Sequence, residues 1–293
     1  MRSPARVEVT RPDKLLWPAI DITKQAFVDY LEAVADHMLP WLRDRPLTLV
    51  RAPDGVGGKR YFQKAASSYA PEWIRTVRIP APSAGRDVDF VVCDDRATLA
   101  WLGNQASLEL HPAPVRADKL DRPDLLVVDI DPPDGAFEAA VEVAGLVLEV
   151  LEDHELTSGV KTTGGKGLHV VTPIERRVSA EDLRRAAARV TAIVAGRRPD
   201  LVTDSFRKAG RKGRVMLDPS RNGTGATIVA PFSPRARAEG TVSFPLVPAE
   251  LAGAAPADFT LATVAGLLDR PGPHSWQRLV GERQRLPASL LRD

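Results

Sequence analysis

The sequence lacks the features that would place it in several large protein classes. Cys93 is its single cysteine, which rules out an internal disulfide framework and any multi-cysteine zinc site, and fits a reducing cytoplasm. It has no run of 18 or more apolar residues and no basic-then-apolar leader, so neither a membrane span nor a secretory signal is expected. No internal repeat or long linker interrupts its 293 residues, a length that suits one large domain or two. One-sided charge is also missing. The 40 Lys and Arg against 38 Asp and Glu leave a net charge of +2, too little to demand a polyanionic partner. What remains, 44% hydrophobic and 27% charged residues, is the composition of an ordinary soluble globular chain.

The local order of residues says more than the totals. The run Leu125, Leu126, Val127, Val128 is short, apolar and partly β-branched, as a strand buried on both faces should be, and Pro132-Pro133-Asp134-Gly135 stops it. Asp129 and Asp131 close that strand. Two residues apart, they project from one face with Cα atoms about 6.6 Å apart, so both can reach one divalent cation or a close pair. Hard ions such as Mg²⁺ or Mn²⁺ favour such oxygen ligands. The competing reading is a pair of solvated residues at a strand end.

The chain around this strand alternates helices and strands. Thr23 is placed to cap a helix whose apolar spacing (Phe27, Tyr30, Leu31, Val34, Met38) marks a core face, with Lys24 in its first turn, where a cation suits a phosphate better than the helix dipole. Strands are expected over residues 47–51 and 60–64, 87–94, near Val160, and over 168–172, 214–218 and 226–230. Helices are expected over 98–110 (ended by His111-Pro112), 136–152, 179–195 and 259–268. Tyr61 and Phe62, adjacent in a strand, must point to opposite faces, so one is expected to be exposed or in a cleft, where it could stack on a base, with a partly buried core aromatic as the alternative. Thr163-Gly164-Gly165-Lys166-Gly167 joins two strands. It is neither a Walker loop, since Lys166 is followed by Gly167, nor a Rossmann fingerprint, which needs a helix after the glycines. Its backbone N–H groups and Lys166 can still approach a phosphate, with a plain tight hairpin as the alternative. Arg207, Lys208, Arg211, Lys212 and Arg214 cluster, and Arg235 and Arg237 follow. Asp218 repeats the theme of a strand ending in Asp and then Pro. Carboxylates at strand ends, a Gly/Lys loop, histidines and clustered arginines together suggest metal-dependent chemistry on a phosphate chain.

Asp129-Ile130-Asp131-Pro132, Thr163-Gly164-Gly165-Lys166-Gly167-Leu168-His169, Arg214-Val215-Met216-Leu217-Asp218 and Ala230-Pro231-Phe232-Ser233-Pro234-Arg235-Ala236-Arg237 resemble the polymerase domain of bacterial ATP-dependent DNA ligase D, of the archaeo-eukaryotic primase superfamily. The resemblance extends to Lys14 and its flanks, Tyr61-Phe62-Gln63-Lys64 and Glu109-Leu110-His111-Pro112, and so covers nearly the whole chain. It implies an α/β primase-polymerase core, a single domain over 1–293. An RNA-recognition-like antiparallel sheet would carry the aspartates, beside an N-terminal α/β portion.

By that resemblance Asp129, Asp131 and Asp218 match the metal-binding catalytic triad, served by two Mn²⁺ or Mg²⁺ ions. Thr163, Lys166 and His169 match the nucleotide-binding loop, and His111, Arg211, Arg221, Arg235 and Arg237 match positions at or near the incoming NTP or dNTP. Lys14 and Lys24 match the pair that grips the 5′-phosphate of gapped or broken DNA, and Tyr61 and Phe62 match an aromatic pair against the template. Thr163 stands where Ser is common, Arg221 where Gln is often found and Tyr61 where Phe is usual. The implied function is template-directed nucleotidyl transfer that fills gaps and extends ends in non-homologous end joining, favouring ribonucleotides. Ku and a separate ligase are candidate partners, and the expected location is cytoplasmic, on the nucleoid. With no ligase or nuclease module, the chain reads as a stand-alone homologue, an excised domain being the alternative. Primase activity, a non-catalytic 5′-phosphate end-binding module and, more distantly, an aspartate phosphatase are the rival functions.

Overall fold

The computed structural model describes residues 7–81, 85–205 and 207–291. They fall into two compact units, one of Met1–Asp118, Thr227–Ser243 and Phe259–Leu268, the other of Lys119–Ala226, Phe244–Asp258 and Asp269–Asp293. Among the described residues no helix is long and apolar enough to cross a membrane.

The first unit opens with a short antiparallel pair, β1 (Leu15–Trp17) and β2 (Ile22–Thr23), leading into α1 (Lys24–Ala33). Thr23 caps α1 by accepting from Ala26 N at 3.1 Å. The apolar stripe then continues through Val34, which leaves helical geometry, into α2 (Ala35–Leu42). Phe27, Leu31, Val34 and Met38 are all buried, as their spacing predicts. A three-stranded sheet, in the order β4-β3-β7, is built from β3 (Leu47–Arg51), β4 (Tyr61–Gln63) and β7 (Ser107–Pro112). Between them come the hairpin β5 (Thr76–Ala81) and β6 (Arg86–Val91), then α3 (Arg96–Asn104), which packs on α1.

Three expectations are corrected here. The helix expected over 98–110 ends at Asn104. Ala106 turns the chain at φ +53 and β7 follows, because Leu108 and Leu110 alternate with Glu109 and His111 at period two rather than 3.6. Residues 226–230 form no strand element, although Ile228 N and Ala230 N donate to Pro112 O and Leu110 O. The helix expected over 259–268 is a single 3₁₀ turn at Val264–Leu267. A longer helix instead forms in the proline-rich segment just after it, where Pro271 sits at the first helical position, which tolerates it.

The second unit contains β8 (Leu125–Asp131), α4 (Phe137–Asp153), β9 (Gly159–Thr162), β10 (Leu168–Pro173), α5 (Ala180–Arg197), β11 (Val202–Thr203), α6 (Lys208–Arg211), β12 (Val215–Asp218), β13 (Pro245–Leu246), α7 (Pro248–Leu251), α8 (Pro271–Leu279) and α9 (Ala288–Leu291). Its six strands order as β11-β12-β8-β10-β9-β13, antiparallel throughout except for β11 with β12. The series β8-α4-β9-β10-α5-β12 is a βαββαβ motif with its first and third strands central, the RNA-recognition-like sheet expected from the sequence. Ser179 and Asp182 form a reciprocal capping box that starts α5, and α4 and α5 both pack on β8.

Candidate active site

Strand register assembles the acidic face in the second unit. Asp129 on β8 lies opposite Asp218 on β12 and opposite His169 on β10, and His169 in turn lies opposite Lys161 on β9. Directly opposed residues share a face, so Asp218, Asp129, His169 and Lys161 form one row across four strands, with Asp131 two residues along on the same side. The three carboxylates, remote in sequence, therefore meet on one surface.

Cations frame them. Arg221 Nε donates to Asp129 Oδ2 at 2.9 Å, and His169 Nε2 stands 3.4 Å from Asp129 Oδ1. Arg211 Nη1 donates to Asp131 Oδ2 at 2.7 Å, and Lys166 Nζ lies 3.2 Å from Asp131 Oδ1 and 3.3 Å from Asp134 Oδ1. Asp218 instead caps the 3₁₀ turn Pro219–Asn222, accepting from Ser220 N at 2.8 Å. That turn aims Arg221. It is anchored by Asn222, whose side chain accepts from Val127 N at 2.8 Å and donates to Val127 O at 2.7 Å, completing the ladder beside β8 where β12 has stopped.

Burial disfavours the charged form of Asp129, but His169 and Arg221 outweigh it and hold the carboxyl well below the usual range. Burial and the charge of Lys161 push His169 down to about 4, against the pull of Asp129, so its imidazole is neutral near pH 7. Lys161 is fully buried, with Nζ 3.0 Å from His169 Nδ1. An ammonium only donates, so the ring proton sits on Nε2, facing Asp129. Lys161 was missed in the sequence, because a lysine in a short strand reads as solvent-facing.

No group of three or more His, Cys, Asp or Glu side chains among the described residues closes around a point that would hold a metal ion. The chemistry of the set still suits a hard divalent ion: three carboxylates share one face, and that face already gathers Arg211, Arg221 and Lys166 as counter-charges.

The Gly/Lys loop is the turn of the β9–β10 hairpin. Thr163 Oγ1 donates to Gly167 O at 3.0 Å and accepts from Gly165 N at 3.2 Å, so this hydroxyl closes the loop. Gly164 adopts φ +65, where glycine carries no steric cost.

The remaining sequence-derived candidates belong to the first unit. His111 stands on β7 rather than at a helix end, with Nε2 2.8 Å from Glu109 Oε2. Arg235 Nε lies 3.0 Å from that same oxygen, and Ala236 N donates to Glu109 Oε1 at 2.9 Å. The turn carrying Arg235 is set by Phe232, held at φ +64 while its carbonyl accepts from Tyr30 Oη at 2.7 Å. Arg237, two residues on, is exposed.

Lys14 and Lys24 line one cleft of about 400 Å³ with Thr10, Arg11, Arg51 and Asn104. Lys24 Nζ donates to Thr10 O at 2.6 Å and Lys14 Nζ pairs with Asp54 at 2.8 Å. Burial, then the charges of Lys14 and Arg11, lower the Lys24 pKa, so an anion in this cleft relieves a repulsion already present. Tyr61 and Phe62 are both exposed, at 46% and 81%.

Burial opposes ionisation of Glu109, but the His111 hydrogen bond, the Arg235 charge and the Ala236 N–H bring its pKa down to about 2 from an ordinary value of 4.5. The folded state thus binds this proton more weakly than the unfolded chain. The resulting stability, on the order of 3 kcal/mol, is complete above pH 4.5 and lost as pH falls towards 2. Thermal melts from pH 6 to 2.5 should show a decline that is shallower in Glu109→Gln; parallel declines in the two proteins would contradict the assignment.

Comparison with known proteins places this geometry. The family model described as the LigD primase-polymerase domain matches residues 23–275. A multifunctional non-homologous end joining protein LigD from Mycolicibacterium smegmatis is 35% identical over 243 residues, 82% of this chain and 32% of that protein. The bifunctional LigD of Bacillus subtilis is 31% identical over 91% of this chain and 43% of its own length. The chain thus spans about a third to two fifths of these relatives. Among solved structures, the polymerase domain of Mycobacterium tuberculosis ligase D in complex with DNA superposes with a TM-score of 0.87 at 32% identity, covering 95% of this chain and 99% of that one. A match over most of the chain in sequence and in fold leaves one conclusion: the chain belongs to the LigD primase-polymerase domain family.

Proposed function

We propose that the protein is a template-directed nucleotidyltransferase that fills short gaps and extends ends at DNA breaks during non-homologous end joining, with Ku and a ligase as partners and ribonucleotides favoured. The observation that carries this reading is the register that puts Asp129, Asp131 and Asp218 on one face of an RNA-recognition-like sheet, beside a glycine and lysine hairpin. Both units then serve one primase-polymerase domain over 1–293. Asp129, Asp131 and Asp218 would hold two Mn²⁺ or Mg²⁺ ions, whose chemistry is to activate a hydroxyl and stabilise the leaving pyrophosphate. Lys166 and Arg211 lie next to Asp131 and Arg221 next to Asp129, where they neutralise phosphate charge as it approaches. His169, kept neutral, donates through Nε2 and orients Asp129 without adding a positive charge. Arg235 and Arg237 supply further cations for the triphosphate, with His111 beside Arg235 on Glu109. Thr163 shapes the loop, and Tyr61 and Phe62 offer exposed rings for template bases.

The test is primer extension by the purified protein on gapped duplex bearing a 5′-phosphate, with NTPs and Mn²⁺. Template-dependent products are expected; none under any divalent ion, with DNA still bound, would favour the end-binding rival. Dinucleotide synthesis on template without primer would mark a primase. The Lys14 and Lys24 cleft is assigned to the 5′-phosphate. The double variant Lys14→Ala/Lys24→Ala should therefore erase a preference of roughly 10–100-fold for phosphorylated over unphosphorylated gaps, the scale of one or two charge-assisted contacts. Equal binding of both gap types by the wild type would remove that role.

A further inference from the structure

Two of the side chains assigned above to the triphosphate, His111 and Arg235, come from segments more than a hundred residues apart, and one carboxylate holds both. Glu109 and His111 are two apart on β7 and share a face. Glu109 Oε2 lies 2.8 Å from His111 Nε2 and 3.0 Å from Arg235 Nε, while Oε1 accepts from Ala236 N at 2.9 Å. The exposures are graded: the Glu109 side chain is 8% exposed, His111 16% and Arg235 25%. The anion thus lies beneath, and the two bases above it reach solvent.

We propose that Glu109 is a positioning residue for the incoming nucleoside triphosphate, its one buried carboxylate fixing His111 and Arg235 as a preset pair for the polyphosphate. A carboxylate at Nε2 requires the ring proton on that nitrogen, which sets both tautomer and tilt of His111. The same oxygen holds the Arg235 guanidinium by an ion pair at 3.0 Å, and Oε1 locks the backbone of the turn that bears it. A carboxylate needed only for the Ala236 N–H would use one oxygen; here the second is shared by two bases. Orientation set before the ligand arrives lowers the entropic cost of binding it. The inference rests on the polymerase reading.

The experiment compares wild type, Glu109→Gln and Asp129→Ala in primer extension and, separately, in titration of a fluorescent NTP analogue with Mn²⁺. Glu109→Gln should raise the apparent KM for NTP about tenfold or more, equally for all four bases, with a much smaller change in kcat and none in affinity for gapped DNA. It should weaken analogue binding to the same degree. A folded Glu109→Gln protein with wild-type KM and analogue affinity overturns the proposal, while loss of extension in Asp129→Ala leaves the polymerase reading standing. Wild type that binds the analogue but extends nothing removes the polymerase reading, and analogue affinity still decides the role of Glu109. If Glu109→Gln does not fold, Glu109→Asp keeps the charge but draws the carboxylate back by one methylene from His111, Arg235 and Ala236. The same KM rise is expected there, and an unchanged KM counts against the proposal.

Discussion

Asp129→Asn and Asp218→Asn should each reduce template-directed extension by about 10³-fold or more while leaving the protein folded. A ligand to a catalytic ion acts on several kcal/mol of developing charge, and roughly 4 kcal/mol corresponds to a thousandfold in rate. The choice of Asn matters. Asp218 also caps a 3₁₀ turn through Ser220 N, so Asp218→Ala would lose about 1 kcal/mol of capping as well as the charge. Asn keeps an acceptor there and removes only the charge. At position 129 an amide retains the volume between Arg221 and His169. Rates read beside thermal melts separate the two effects. Extension that survives in either Asn variant would sink the assignment of these carboxylates.

Gly167→Ala should cost both stability and activity, for a steric reason with no conformational component. A Cβ at Gly167 would sit 2.2 Å from Ile130 O, a main-chain atom that cannot swing aside. Ile130 lies in β8, paired on one side with Leu168 of β10 and on the other with Leu217 of β12, so the hairpin must yield instead. Overpacking of this kind typically costs about 1–3 kcal/mol, and more where the partner is fixed. The displaced loop carries Lys166 and opens the strand that carries His169, and a shift of about 1 Å at such groups can cost ~10²-fold in rate. Gly145→Ala is the control. It lies inside α4 with nothing within 4 Å of the added carbon, so it should be neutral or slightly stabilising. Equal melting temperatures and rates for the two variants would show that the approach at Gly167 is not a constraint.

Glu109 shows where local pattern misleads. Residues 98–110 contain apolar positions compatible with a helical stripe, and His111-Pro112 looks like a stop. The helix instead ends at Asn104, and the rest alternates as β7 because β3 pairs with it through Leu47 to Arg51. Only in that strand do Glu109 and His111 share a face, so a role for the glutamate is invisible to a helical reading. Arg221, at a position where Gln is often found, is held on Asp129, a pairing that depends on a side chain 92 residues away.

The sequence alone determined what depends on neighbours within a turn or a pleat. The β8 strand and its paired aspartates, the Thr23 and Ser179 caps, the stripe from Phe27 to Met38 and the glycines of the hairpin all follow from periods of 2 and 3.6 and from local hydrogen bonding. Motif order carried the family as well. Tertiary structure decided what depends on register between distant strands. It set Asp218 opposite Asp129, buried Lys161 against His169, supplied Val127 with a ladder partner from Asn222 and put two bases on Glu109. Those arrangements follow from how strands pair and what lies beneath them, and a charged side chain carries no local mark of whether a partner or water will neutralise it.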